Sequence, residues 1–125
     1  MKVLIVEDIV TYQRFLERVF EGKAECHFAN KGDEGMATFL QAWNEGQPYD
    51  LVFLDIMLPG MDGFEILKNI RKIEAGEKKV KIIMTTSLAD NNSVAKAMQL
   101  GCDSYIVKPF RMEDVKSNLE KLKIL

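Results

Sequence analysis

Cysteine is scarce: Cys26 and Cys102 stand far apart with no metal-ligand spacing around either, so neither a disulfide framework nor a structural zinc site is expected. Two buried free thiols are the expectation. Histidine is scarcer. The single His27 falls in a segment that reads as an edge strand, which argues against a nucleophilic triad or a phosphohistidine in this chain. No apolar run approaches the roughly 18 residues of a membrane span. The opening Met1-Lys2-Val3-Leu4-Ile5-Val6 runs straight into the acids Glu7 and Asp8, unlike a signal peptide, so no membrane partner and a cytoplasmic location are expected. Charge of one sign is also missing. Against 19 acidic residues stand 17 Lys plus Arg, a formal net charge of -2, too balanced for direct nucleic-acid binding through the phosphate backbone. What is present is an ordinary globular balance, 47% hydrophobic and 29% charged over 125 residues, which excludes disorder and predicts one domain over residues 1–125.

Continuous apolar runs rich in β-branched residues mark buried strands of a parallel sheet. Val3 to Val6, Leu51 to Leu54, Ile82 to Met84 and Tyr105 to Val107 are such runs, and Ala24 to Ala29 alternates as an edge strand does. Stripes at helical spacing lie between them. Tyr12, Phe15, Leu16, Val19 and Phe20 form the first; Met36, Phe39, Leu40 and Trp43 the second; Phe64, Ile66, Leu67, Ile70 and Ile73 the third, opened by Gly63 and closed near Gly76. Val94, Ala97 and Met98 form a fourth that Gly101 terminates, and Val115, Leu119 and Leu122 the last. Strict alternation of strand and helix predicts an α/β fold, a parallel sheet with helices on both faces.

In such sheets the binding crevice lies beyond the carboxyl ends of the strands, near the topological switch point. That rule collects Glu7 and Asp8 after the first strand, Asp55 after the third, Thr86 and Ser87 after the fourth and Lys108 after the fifth into one candidate site. Three converging carboxylates repel one another and call for a hard divalent cation. Lys108 supplies a positive point charge and Thr86 a hydroxyl donor, both suited to phosphoryl oxygens. The set suits transfer of a phosphoryl group onto a carboxylate.

These residues, with Asp55-Ile56-Met57-Leu58-Pro59-Gly60-Met61-Asp62-Gly63 and Tyr105-Ile106-Val107-Lys108-Pro109-Phe110, resemble the receiver domain of two-component response regulators over essentially the whole chain. The resemblance implies a flavodoxin-like doubly wound (βα)5 fold with strand order 2-1-3-4-5. It implies that Asp55 is the phosphoacceptor, that Asp8 and Asp55 bind Mg2+ directly, that Glu7 acts through water, and that the carbonyl of Met57 completes the ligands. Thr86 and Lys108 are then the groups that hold the phosphoryl oxygens, and Thr86 and Tyr105 form the switch. The implied donor is a sensor histidine kinase or a histidine phosphotransfer protein. The implied output is a downstream protein bound through the face made by the fourth helix, fifth strand and fifth helix. The chain is then no enzyme in the usual sense, catalysing only its own Mg2+-dependent phosphorylation and dephosphorylation.

Departures from the commonest family pattern carry expectations of their own. Glu7 stands where an aspartate is usual and alters metal affinity through its longer arm, while Ser87 narrows access compared with alanine or glycine. Met57 and Leu88 are apolar where polar side chains orient an attacking water, so slow self-dephosphorylation is expected. Lys96, Arg111, Lys116 and Lys121 read first as a solvated face and second as contacts to a partner or a dimer across the last two helices, leaving a monomer or a phosphorylation-dependent dimer as alternatives. No output module is expected after the last helix, whether the chain stands alone or is part of a longer regulator. A rival reading is an interaction module that signals without phosphorylation, but none of the residues such modules lack is missing. A haloacid dehalogenase-type phosphatase would place a second aspartate where Met57 stands.

Overall fold

The computed structural model describes residues 1–76 and 80–125. Five strands, β1 (Lys2–Val6), β2 (Glu25–Ala29), β3 (Leu51–Leu54), β4 (Lys81–Thr86) and β5 (Ser104–Val107), alternate with five helices. The helices are α1 (Val10–Val19), α2 (Gly32–Asn44), α3 (Gly63–Glu74), α4 (Asn91–Gln99) and α5 (Met112–Lys121). All four strand pairings are parallel and the order is β2-β1-β3-β4-β5, the flavodoxin-like arrangement expected. The chain runs from β1 outward to β2 and then returns to the other side of β1 as β3. The loops leaving β1 and β3 therefore diverge, and this opens the crevice at their carboxyl ends.

The two faces bury separate apolar clusters because alternate residues of each strand point to opposite sides. Leu4, Val6, Val52, Leu54, Ile82 and Met84 meet Phe39 of α2, Ile66, Leu67 and Ile70 of α3 and Ala97 of α4. Val3, Ile5, Leu51, Phe53 and Ile83 meet Leu16 and Val19 of α1 and Val115 and Leu119 of α5. The central strands are covered on both sides, which is why their sequences read as unbroken apolar runs.

Three differences from the sequence reading have local causes. β4 extends through Thr85 and Thr86 because the β5 ladder continues to the pair Thr86 and Val107. Leu40 and Met98 are 39% and 47% exposed, each one residue past a buried neighbour, Phe39 or Ala97, and so about 100° further round the helix. Cys102 is buried, its thiol pushed up to about 11 by desolvation and the nearby Asp103 charge. Cys26 is only half-buried, contrary to expectation, because it lies on edge strand β2.

One partly buried network has no counterpart in the motif reading. Arg71 near the end of α3 donates to Gly101 O (2.9 Å), Val80 O (2.8 Å), Glu74 Oε1 (2.8 Å) and Asp103 Oδ2 (2.9 Å). Asp103 Oδ2 also accepts from Ile82 N at 2.8 Å, and Glu74 Oε2 from Val80 N at 2.6 Å. The guanidinium fork thereby ties α3 to the starts of β4 and β5, the strands that end at Thr86 and Lys108.

Candidate functional site

The carboxyl ends of β1, β3, β4 and β5 bring the candidate residues to one rim. Backbone hydrogen bonds from Glu7 N to Ala29 O (2.9 Å) and from Asp55 N to Val6 O (3.1 Å) carry the sheet one residue past β1 and β3. Lys108 N donates to Thr86 O at 2.7 Å, which sets the end of β5 beside the end of β4. Lys108 Nζ then lies 2.9 Å from Asp55 Oδ2 and 2.5 Å from Glu7 Oε1. Asp55 Oδ1 accepts from Met57 N (3.2 Å), and Glu7 Oε2 from Ile9 N (3.0 Å).

Glu7, Asp55 and Thr86 are buried, while Asp8 and Ser87 are exposed. Burial pushes the Glu7 carboxyl above its ordinary value, against the lowering effect of Lys108 and of the Ile9 N–H. Burial alone would push the Lys108 ammonium down, but hydrogen bonds and charge from Asp55 and Glu7 outweigh it and the net direction is up. The ammonium is thus the counter-charge of two buried acids.

The donor set fits a hard divalent cation. One oxygen from each of Glu7, Asp8 and Asp55 lies within 4.8 Å of the others. Glu7 Oε1 is buried with the Lys108 ammonium 2.5 Å away as its counter-charge. Three carboxylates around one ammonium leave an excess of negative charge at the rim that a cation relieves. An all-oxygen set of this kind matches Mg2+.

Thr86 Oγ1 accepts from Leu88 N (3.3 Å), which leaves the hydroxyl proton available to another acceptor. Leu88 O in turn accepts from the Tyr105 hydroxyl at 2.7 Å. Tyr105 is half-buried against the cluster beneath α3 and α4, and burial raises its phenol above the ordinary value. Leu88 packs against the same cluster, whereas Met57 stands 60% exposed at the rim. His27 lies away from the rim on β2, its Nδ1 2.5 Å from the Tyr49 hydroxyl, and takes no part.

Two residues at the site carry no sequence signal. Tyr12, read as one member of an apolar stripe, places its ring 4.4 Å from Lys108 Nζ. Gln13 Nε2 donates to Glu7 O (2.5 Å) and to Asn30 Oδ1 (2.6 Å), joining the turn after β1 to the turn after β2.

Known proteins share both sequence and fold with this chain. The family model of the response regulator receiver domain matches residues 3–120. Chemotaxis protein CheY-3 of Vibrio cholerae is 36% identical over 124 residues, 98% of this chain and 91% of that protein. The transcriptional regulatory protein ResD of Bacillus subtilis is 34% identical over 122 residues, 97% of this chain but 47% of ResD. A CheY-like receiver domain from Methanospirillum hungatei is 28% identical with a TM-score of 0.81, covering 97% of this chain and 91% of the other. CheY of Borrelia burgdorferi, in a complex with CheX, BeF3 and Mg2+, is 26% identical with a TM-score of 0.85, covering 100% and 90%. With the doubly wound sheet and the acids, hydroxyl and lysine at the ends of successive strands, these matches establish that the chain belongs to the response regulator receiver domains of two-component signalling.

Proposed function

We propose that this chain is a phosphorylation-dependent signalling switch that takes a phosphoryl group from a phosphohistidine onto Asp55 and alters its α4-β5-α5 face for a protein partner. The ion pair of Lys108 Nζ with the buried Asp55 Oδ2, 2.9 Å apart within the acidic cluster, is the observation that carries this reading. Residues 1–125 act as one receiver unit, and the donor is a sensor histidine kinase or a histidine phosphotransfer protein.

Glu7, Asp8, Asp55 and the backbone carbonyl of Met57 are the groups to hold Mg2+. When bound, the ion offsets carboxylate and phosphoryl charge. In the transfer an Asp55 oxygen forms a bond to phosphorus, the P–N bond breaks, and its electron pair leaves with the imidazole. The Met57 N–H on Oδ1 holds the carboxylate plane, and Lys108 supplies positive charge to the phosphoryl oxygens. The Thr86 hydroxyl donates to the new dianion. Its turn toward the phosphoryl group loosens the bond from Leu88 N, and Leu88 O is the acceptor that holds Tyr105. A local charge event is thus transmitted through one residue, Leu88, to β5.

Intact-mass analysis after incubation with acetyl phosphate, with and without Mg2+, tests this on the wild type and on Asp55→Asn. A Mg2+-dependent gain of one phosphoryl group that Asp55→Asn lacks is the expected result. No gain with any donor, a phosphohistidine protein included, would replace the switch with phosphorylation-independent binding.

The phosphoryl group is expected to be long-lived, because neither the Met57 nor the Leu88 side chain offers an oxygen or nitrogen to orient water. Met57→Asn with Leu88→Glu is expected to shorten its lifetime by about tenfold. Met57→Asn alone supplies most of the change, since Leu88 is turned against the core. Equal decay of variant and wild type in a radiolabel chase would remove this account.

A further inference from the structure

We propose that Tyr12 is a positioning residue for Lys108, its ring face serving as the third wall of the ammonium site. The proposal rests on the receiver reading above and assigns a role in it to a residue outside the motifs. Two sides of the ammonium face Asp55 and Glu7, and the third faces the Tyr12 ring, 4.4 Å from Nζ to the centroid. The Lys108 side chain is only 8% exposed, so this attraction is weakly screened by water.

The ring is itself braced. Tyr12 packs on Phe110 at 5.2 Å between centroids, and Phe110 meets the edge of Phe15 at 5.6 Å. Phe110 is buried and stands two residues after Lys108, so the same turn carries both the cation and the support of its wall. The Tyr12 hydroxyl makes no hydrogen bond among the described side-chain contacts, so the aromatic face is the working part.

The chemistry explains why a ring suits this position. During phosphorylation the ammonium has to exchange carboxylate partners for phosphoryl oxygens. A third carboxylate would compete for it and add to the repulsion among Glu7, Asp8 and Asp55. A π face attracts the charge without offering a lone pair or a net charge, and holds Nζ near the rim while its partners change.

A double-mutant cycle tests the assignment, with acetyl phosphate and Mg2+ as probes and initial rates of phosphoryl incorporation as the readout. Tyr12→Leu is expected to label about tenfold more slowly than wild type, and Tyr12→Phe within about twofold of it. In a Lys108→Met background the Tyr12→Leu change is expected to have no further effect. The side-chain proton shifts of Lys108, read by NMR without metal, are expected to show the ring in wild type and Tyr12→Phe and to lose it in Tyr12→Leu. Wild-type labelling by Tyr12→Leu, or an equal effect of that change with and without Lys108, overturns the proposal and leaves the receiver reading standing. A wild type that never labels overturns both.

Discussion

Lys108→Met is expected to slow phosphoryl incorporation at Asp55 by about 100-fold and to destabilise the metal-free fold by about 3 kcal/mol. Both effects have one origin. Among the described residues the ammonium is the cation within ion-pair distance of Glu7 and Asp55, and both carboxylates are buried. Removing it leaves two like charges out of water, which costs more than an intact pair contributes. For a domain of this size the change corresponds to a fall of about 10 °C in Tm. Mg2+ is expected to restore more stability to the variant than it adds to the wild type, because no lysine has to give up the carboxylates first. Thermal unfolding of both proteins with and without Mg2+ measures this. A variant as stable as wild type, with the same response to Mg2+, would show that Lys108 is not the counter-charge of the acids.

Gly32→Ala is expected to cost about 3 kcal/mol or more and to weaken Mg2+ binding at a site it does not touch. A Cβ on Gly32 would lie 1.6 Å from Met61 O and 2.5 Å from Met61 C, and backbone atoms cannot rotate away. Gly32 N also donates to Pro59 O at 3.0 Å. The loop that leaves Asp55 is therefore docked on the first turn of α2. A methyl group forces that loop outward, and the loop carries the Met57 N–H that holds Asp55 Oδ1. Gly46→Ala is the comparison: its Cβ would meet nothing within 4 Å, so the cost of about 1 kcal/mol comes from its φ of +74° alone. Denaturant unfolding of the two variants separates close approach from backbone preference. Equal losses would refute the docking of loop on helix.

The local parts of the fold are legible in the chain because they depend on neighbours in sequence. Leu51-Val52-Phe53-Leu54 reads as a strand buried on both faces, and the structure bounds β3 at the same residues. Asp55 stands out because a carboxylate directly ends that run. Gly63 and Gly101 mark where a helix begins and where one ends. The family motifs add the strand order, which periodicity alone leaves open.

Composition and spacing by themselves pointed to an α/β fold with parallel pairing, which the structure has, and to a candidate site at the carboxyl ends of the strands. Tertiary structure alone decided which atoms meet there. Lys108 and Glu7 are separated by most of the chain, and only the register of β1, β3, β4 and β5 brings Nζ and Oε1 together. The Tyr12 ring beside Lys108 and the Arg71 fork between α3, β4 and β5 were hidden for the same reason. An apolar stripe records that a residue faces inward and an arginine records its charge. Neither records its partner, which the packing of elements remote in sequence selects.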